Sequence, residues 1–159
     1  MKFAKGTTRY VVVIGKIAIK IGRIKFFRFI LRVILFPFLG HRWKLSMKEA
    51  LCVYFGNGIE CNRNEHGYWQ ETHDPEVMPV LASLARGFVI IQDCGTCVTQ
   101  RELESECPLY GDMKDDLPLD MRNLPQYCRH PNGKIRLVDY GTRLACGALL
   151  RRRRLRLST

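Results

Sequence analysis

Four short segments of this 159-residue chain carry side chains that could do chemistry. Cys94-Gly-Thr-Cys97 lies between a buried-strand run and a helix start, where a redox dithiol would have its thiolate favoured by the helix N-terminus. The same two cysteines, joined by Cys107, Cys128 or His130, are zinc-ligand types, but their spacing is irregular for a four-ligand site. Lys20 closes the run Ile17-Ala-Ile-Lys20, and on its own reads as the solvent-facing residue of an alternating strand. Asp139 ends another apolar run before Tyr140 and Gly141, a position that turns also favour. Asp120 shares a loop with Asp112, Asp115 and Asp116, the pattern of a solvated acidic segment.

The elements that must position these groups follow from pattern. Arg9–Ile14 and Ile17–Ile21 are β-branched runs separated by Gly15-Lys16, which predicts an antiparallel hairpin. Over 23–36, Ile24, Phe27, Ile30, Leu31, Ile34 and Leu35 fall near helical spacing, with Lys25, Arg28 and Arg32 on another face; this predicts a basic amphipathic helix. Ser46-Met-Lys-Glu49 matches a capping box for a helix reaching about Phe55. A polar helix follows from Ile59 to about Glu71, in which Glu60 and Glu65 fall on different faces, so at most one points inward. Gly87–Gln92 predicts a buried strand, 99–106 a short acidic helix, and 107–131, with four prolines, irregular chain. Asn132-Gly133 is a turn into the strand Lys134–Val138.

Charge is segregated. Of 26 Lys and Arg, 12 lie in residues 1–48 without one acid; all 15 acids lie in 49–150 with only 9 basic residues, and five arginines crowd 151–156. An acidic middle argues against a nucleic-acid groove across the whole fold, and places any contact with an anionic surface, lipid or polyanion, at residues 1–48 and 151–156. The most apolar stretch, Ile24 to Leu39, is interrupted by three charges and Pro37, so no transmembrane segment is expected. The N-terminal apolar patch is too short for a secretory signal, and seven cysteines are an odd number. A cytoplasmic chain with free thiols, peripheral to a membrane if its basic ends engage lipid, is the expectation.

The order of these parts, a hairpin ending Ile17-Ala-Ile-Lys20, a helix with a central Glu, a buried strand into a bend, a Pro-rich loop with Asp120, and Asp139-Tyr140-Gly141, resembles the protein kinase-like fold. It is closest to the small kinase-like proteins of proteobacteria and their phages. The resemblance spans roughly residues 6–142 and implies an α+β fold: a small antiparallel sheet with helices (1–91), a hinge at 92–95, a reduced second lobe (96–150), and a basic tail (151–159). It implies ATP and magnesium as cofactors. Lys20 would hold the α/β phosphates with Glu65, or Glu60, fixing its rotamer; Asp139 would ligate magnesium; Asp120 would orient or deprotonate an acceptor hydroxyl. Gln92, Asp93 and Cys94 would contact adenine through the hinge backbone.

The sequence departs from the family pattern in places. The metal-binding Asn of the catalytic loop falls on Pro125, leaving Gln126 or Asn123 as substitutes, and Pro118 and Leu119 replace the His-Arg pair. Lys5-Gly6-Thr7-Thr8 is a weak stand-in for a Gly-rich loop. Only eighteen residues follow Gly141, too few for the lobe that grips a protein substrate. The implied function is therefore ATP-Mg binding with phosphoryl transfer to a small hydroxylated or saccharide-type molecule. The alternatives are a non-catalytic pseudokinase-like interaction protein with basic ends and, behind it, a thioredoxin-like dithiol protein acting through Cys94 and Cys97.

Overall fold

The computed structural model describes residues 1–6, 8–25, 55–113, 122 and 124–158. The basic helix expected over 23–36 falls outside these residues from 26 onward, as do the Ser46 capping box and its helix up to 54, Asp120 and Asn123. Within them the fold is α+β, with four α-helices, a five-stranded antiparallel sheet and a three-stranded one. Among the described residues no helix is long and apolar enough to cross a membrane.

The hairpin forms as its sequence dictates: β2 (Arg9–Ile14) and β3 (Ile17–Gly22) pair antiparallel around Gly15-Lys16, with Val11 opposite Lys20. A strand without a sequence signal, β1 (Lys2–Lys5), adds to the outer edge, fully exposed, its lysines marking it as an edge strand. The described chain resumes with α1 (Asn57–Thr72), then β4 (Val80–Leu84), a short 3-10 turn and β5 (Val89–Asp93). The sheet order is β1-β2-β3-β5-β4, so the segment carrying α1 crosses over the sheet, and α1 packs on β3, β4 and β5. Asn62, fully buried on α1, bolts it down: its amide donates to the carbonyls of Lys20, Gly87 and Phe88 at 2.9–3.3 Å.

Beyond β5 the chain passes through Cys94 and Gly95 into the second sheet, β6 (Thr96–Cys97), β7 (Tyr127–Arg129) and β8 (Ile135–Leu137). Helix α2 (Gln100–Glu106) has the capping box Thr99 and Glu102. The irregular chain expected over 107–131 is only partly so. Pro108 opens α3 (Pro108–Met113) at the first helical position, where its missing N–H costs nothing, and Tyr127–Arg129 pair with β8.

The expected basic tail at 151–159 is a second correction. Residues 151–157 continue α4 (Arg143–Leu157), capped by the Thr142 hydroxyl, which accepts from the Ala145 N–H. Arg152 is buried and donates to Glu76, Arg156 reaches the same carboxylate at 3.1 Å, and Arg153 donates to the Thr72 carbonyl. Arg152 and Arg156 are thus counter-ions of Glu76, while Arg151 and Arg154 stay exposed.

The main core lies among the second sheet and α2, α3 and α4, where Leu103, Leu109, Tyr127, Leu137, Tyr140 and Leu149 are all but excluded from solvent. Tyr140 ties it to the first sheet's end: its hydroxyl donates to the Met78 carbonyl at 3.0 Å and its ring meets that of Tyr68 edge-on at 5.7 Å. The next residue, Gly141, lies against α1 so closely that a Cβ would collide with the Cys61 carbonyl. Gly141→Ala should therefore lower stability by about 1–3 kcal/mol, read as a reduced urea midpoint; an unchanged midpoint would mean that α1 and this segment are not in contact.

Candidate functional site

Alternation along β3 puts Ala18, Lys20 and Gly22 on the face covered by α1. Lys20 is therefore a cation on a buried face, not the solvent-facing residue that isolated reading suggests. It is 2 % exposed, and Nζ donates to Glu65 Oε2 at 2.8 Å and to the Val138 carbonyl at 2.7 Å. Glu65, on the inward side of α1, is wholly buried. Glu60, on the other side, pairs at 2.6 Å with exposed Arg143, which resolves which of the two meets Lys20.

Arg9, which no motif singled out, completes the arrangement. It opens β2 in register with Gly22, a position where α1 packs close against the sheet. Its guanidinium donates to Glu65 Oε1 at 2.6 Å, to Asn62 Oδ1 at 3.2 Å and to the Asp139 carboxylate. Period-2 alternation from Lys20, followed across the hairpin, would have placed Arg9 on the buried face.

Two cations and two carboxylates thus cancel in charge. Burial pulls the Lys20 ammonium down and Arg9 adds to this, while Glu65 opposes; the outcome is a value of about 8. Burial pushes the Glu65 carboxyl up, but the charges of Arg9 and Lys20 outweigh it and hold Glu65 below the ordinary range. Both groups are consequently charged at neutral pH.

Asp139 lies two residues past the end of β8 and is the open member, 42 % of its side chain exposed. Gln126 stands beside it through the backbone, its carbonyl accepting the Val138 N–H at 2.7 Å. The other two residues implied for the metal and acceptor, Asn123 and Asp120, lie outside the described residues. At the bend, Gln92 is fully buried and its amide donates inward to the Met78 carbonyl, while the Asp93 and Cys94 N–H groups donate to the carbonyls of Pro79 and Lys16. These three residues brace the joint between the sheets.

Cys94 and Cys97 carry free thiols, and among the described residues no three His, Cys, Asp or Glu side chains gather as a metal site. The zinc alternative weighed for Cys94 and Cys97 with Cys107, Cys128 or His130 thus has no gathered ligand set among the described residues.

Removing the carboxylate at the centre leaves two buried cations without a counter-charge. Glu65→Gln should cost about 3–5 kcal/mol, whereas Glu60→Gln, in an exposed pair, should stay within about 0.5 kcal/mol. Because the folded-state value of Glu65 lies below its unfolded value, the unfolded chain binds more protons in acid. The Glu65 contribution is full above the ordinary carboxylate value of 4.5 and is lost as pH falls below it. Urea midpoints of both variants between pH 3 and 7 check this, and equal losses for the two variants would refute the placement of Glu65. In comparisons with known protein families, curated proteins and solved structures, the chain finds no match.

Proposed function

We propose that the chain binds a magnesium-complexed nucleoside triphosphate, ATP in the first instance, beside Lys20 and Asp139, with phosphoryl transfer to a small hydroxylated or saccharide-type acceptor. The observation that carries this reading is the buried Lys20–Glu65 ion pair, made between β3 and α1, with the Lys20 ammonium also touching the residue before Asp139. Protein kinases require a strand-lysine to helix-glutamate pair and a metal-binding Asp in that order. Between Gln126 and Asp139 stands a two-stranded hairpin, at whose base the Gln126 carbonyl accepts the Val138 N–H.

The residues suit magnesium as oxygen donors. Asp139 offers a half-open carboxylate, with Gln126 or Asn123 as the amide ligand. When bound, the ion would neutralise phosphate charge. Glu65 would hold the Lys20 ammonium while its bond to the Val138 carbonyl yields to a phosphate oxygen. Arg9 would leave Asp139 yet keep Glu65. Asp120 would orient the acceptor hydroxyl or take its proton. Gln92, Asp93 and Cys94 would contact adenine once the bracing N–H groups yield.

A second reading, a non-catalytic interaction protein with a kinase-like core, is favoured by the contact between Arg9 and Asp139, which supplies from within the charge that magnesium would bring. Its binding surfaces would be the exposed Lys2 and Lys5 of β1 and Arg151 and Arg154 of α4. Either way the chain would work in the cytoplasm, peripheral to a membrane where these residues meet anionic lipid.

Thermal unfolding separates the readings. ATP with magnesium at ten times its Kd should raise the midpoint by roughly 3–6 °C, and Asp139→Asn should abolish the magnesium-dependent part; equal shifts in both proteins, or none, would end the nucleotide reading. The interaction reading expects binding to phosphatidylserine vesicles that weakens as salt rises from about 50 to 500 mM. Vesicle binding absent even at low salt would remove it.

A further inference from the structure

We propose that the cavity between the end of α1 and one face of α4 binds a phosphate monoester, its phosphate held by Arg152, Arg153 and Arg156. The site is independent of the nucleotide reading. One wall is the chain that leaves α1, from Thr72 to Glu76; the other is Leu149 with the three arginines, and together they line a space of about 400 Å³. Positions 149, 152, 153 and 156 recur at helical spacing and so form a single stripe along α4. Arg151 and Arg154, off that stripe, are exposed.

The charges around this cavity do not cancel. Both oxygens of Asp74 are occupied by the protein, Oδ2 accepting from the Tyr68 hydroxyl at 2.6 Å and Oδ1 from the Glu76 N–H at 2.9 Å. Glu76 is shared between Arg152 and Arg156, the latter at 3.1 Å. Arg153 donates to the Thr72 carbonyl at 2.6 Å and, among the described residues, forms no ion pair. That carbonyl belongs to the negative end of α1, which suits a cation but brings no full counter-charge. Three guanidiniums therefore stand against two carboxylates in a concave space, where their field is concentrated.

Shape as well as charge selects the ligand. Arg152 is more than nine-tenths buried, so its planar fork is fixed before anything binds. Arg153 and Arg156, beside it on the stripe, bring N–H donors from two further directions. Three donor groups match the three free oxygens of a phosphate monoester, whereas a carboxylate has only two. Leu149 and Pro75 add an apolar wall for the organic part of the ester. The volume falls within the roughly 300–1,000 Å³ of small-molecule pockets, which leaves room for more than the bare anion.

The test is a titration of the full chain with phenyl phosphate at constant ionic strength, followed through the arginine side-chain Nε–Hε signals by NMR. Those of Arg152, Arg153 and Arg156 should shift together and saturate while those of Arg151 and Arg154 stay in place, and acetate should move none of them. Inorganic phosphate should bind more weakly than the ester. Arg153→Gln should weaken phenyl phosphate binding roughly tenfold, and Arg151→Gln should leave it unchanged. Asp139→Asn should not alter the titration either, which keeps this site distinct from the nucleotide site. No saturable shift, a drift shared by all the arginines, an equal response to acetate, equal affinity for inorganic phosphate, or equal losses in the two arginine variants would overturn the assignment. The wild-type titration decides even if a variant fails to fold.

Discussion

The Glu65 carboxylate, clamped between the Arg9 guanidinium and the Lys20 ammonium, is the constraint on which the arrangement turns. A buried carboxylate survives only if both oxygens are satisfied and its charge is met. Here each oxygen takes one cation, each from a different strand of the hairpin. That requirement fixes how α1 sits on the sheet, with Asn62 one helical turn away holding the same strand by its backbone. It also fixes the base of β8, because Lys20 spends a second hydrogen on Val138 and Arg9 a second nitrogen on Asp139. The joining of hairpin, helix and second sheet at one point is electrostatic, while the apolar core lies to the side of it.

Much of this was legible in the residues. β2, β3, β5 and β8 announced themselves by apolar runs and turn chemistry, α2 by its acidic stretch, and the spacing of Glu60 and Glu65 said that at most one could face inward. Two kinds of feature escaped. β1 and β4 carry weak signals of their own and exist because a neighbour offers an unpaired edge, a tertiary effect. The second kind is the charge that folds inward. Arg9 reads as a strand's polar start and Arg152 as part of a solvated tail, and only the burial of Glu65 and Glu76 shows that both are counter-ions. Formal charge counts the arginines of α4 alike, yet Arg151 is exposed and Arg152 is buried.

Arg9 is also where the two functional readings part. The same side chain that balances Glu65 reaches the half-open Asp139 carboxylate, so a metal at Asp139 would have to compete with, or displace, a guanidinium already there. The balance between that displacement and the charge of incoming phosphates decides between a nucleotide-binding core and a scaffold held shut by its own cation.

The most direct test of the central claim, that Lys20 is a buried cation held by Glu65 beside a nucleotide site, is the titration of its side chain followed by carbon NMR in lysine-labelled protein. The account predicts a midpoint near 8, well under the ordinary 10.5, that rises when ATP and magnesium are added. A midpoint at the ordinary value, unmoved by nucleotide, would contradict it.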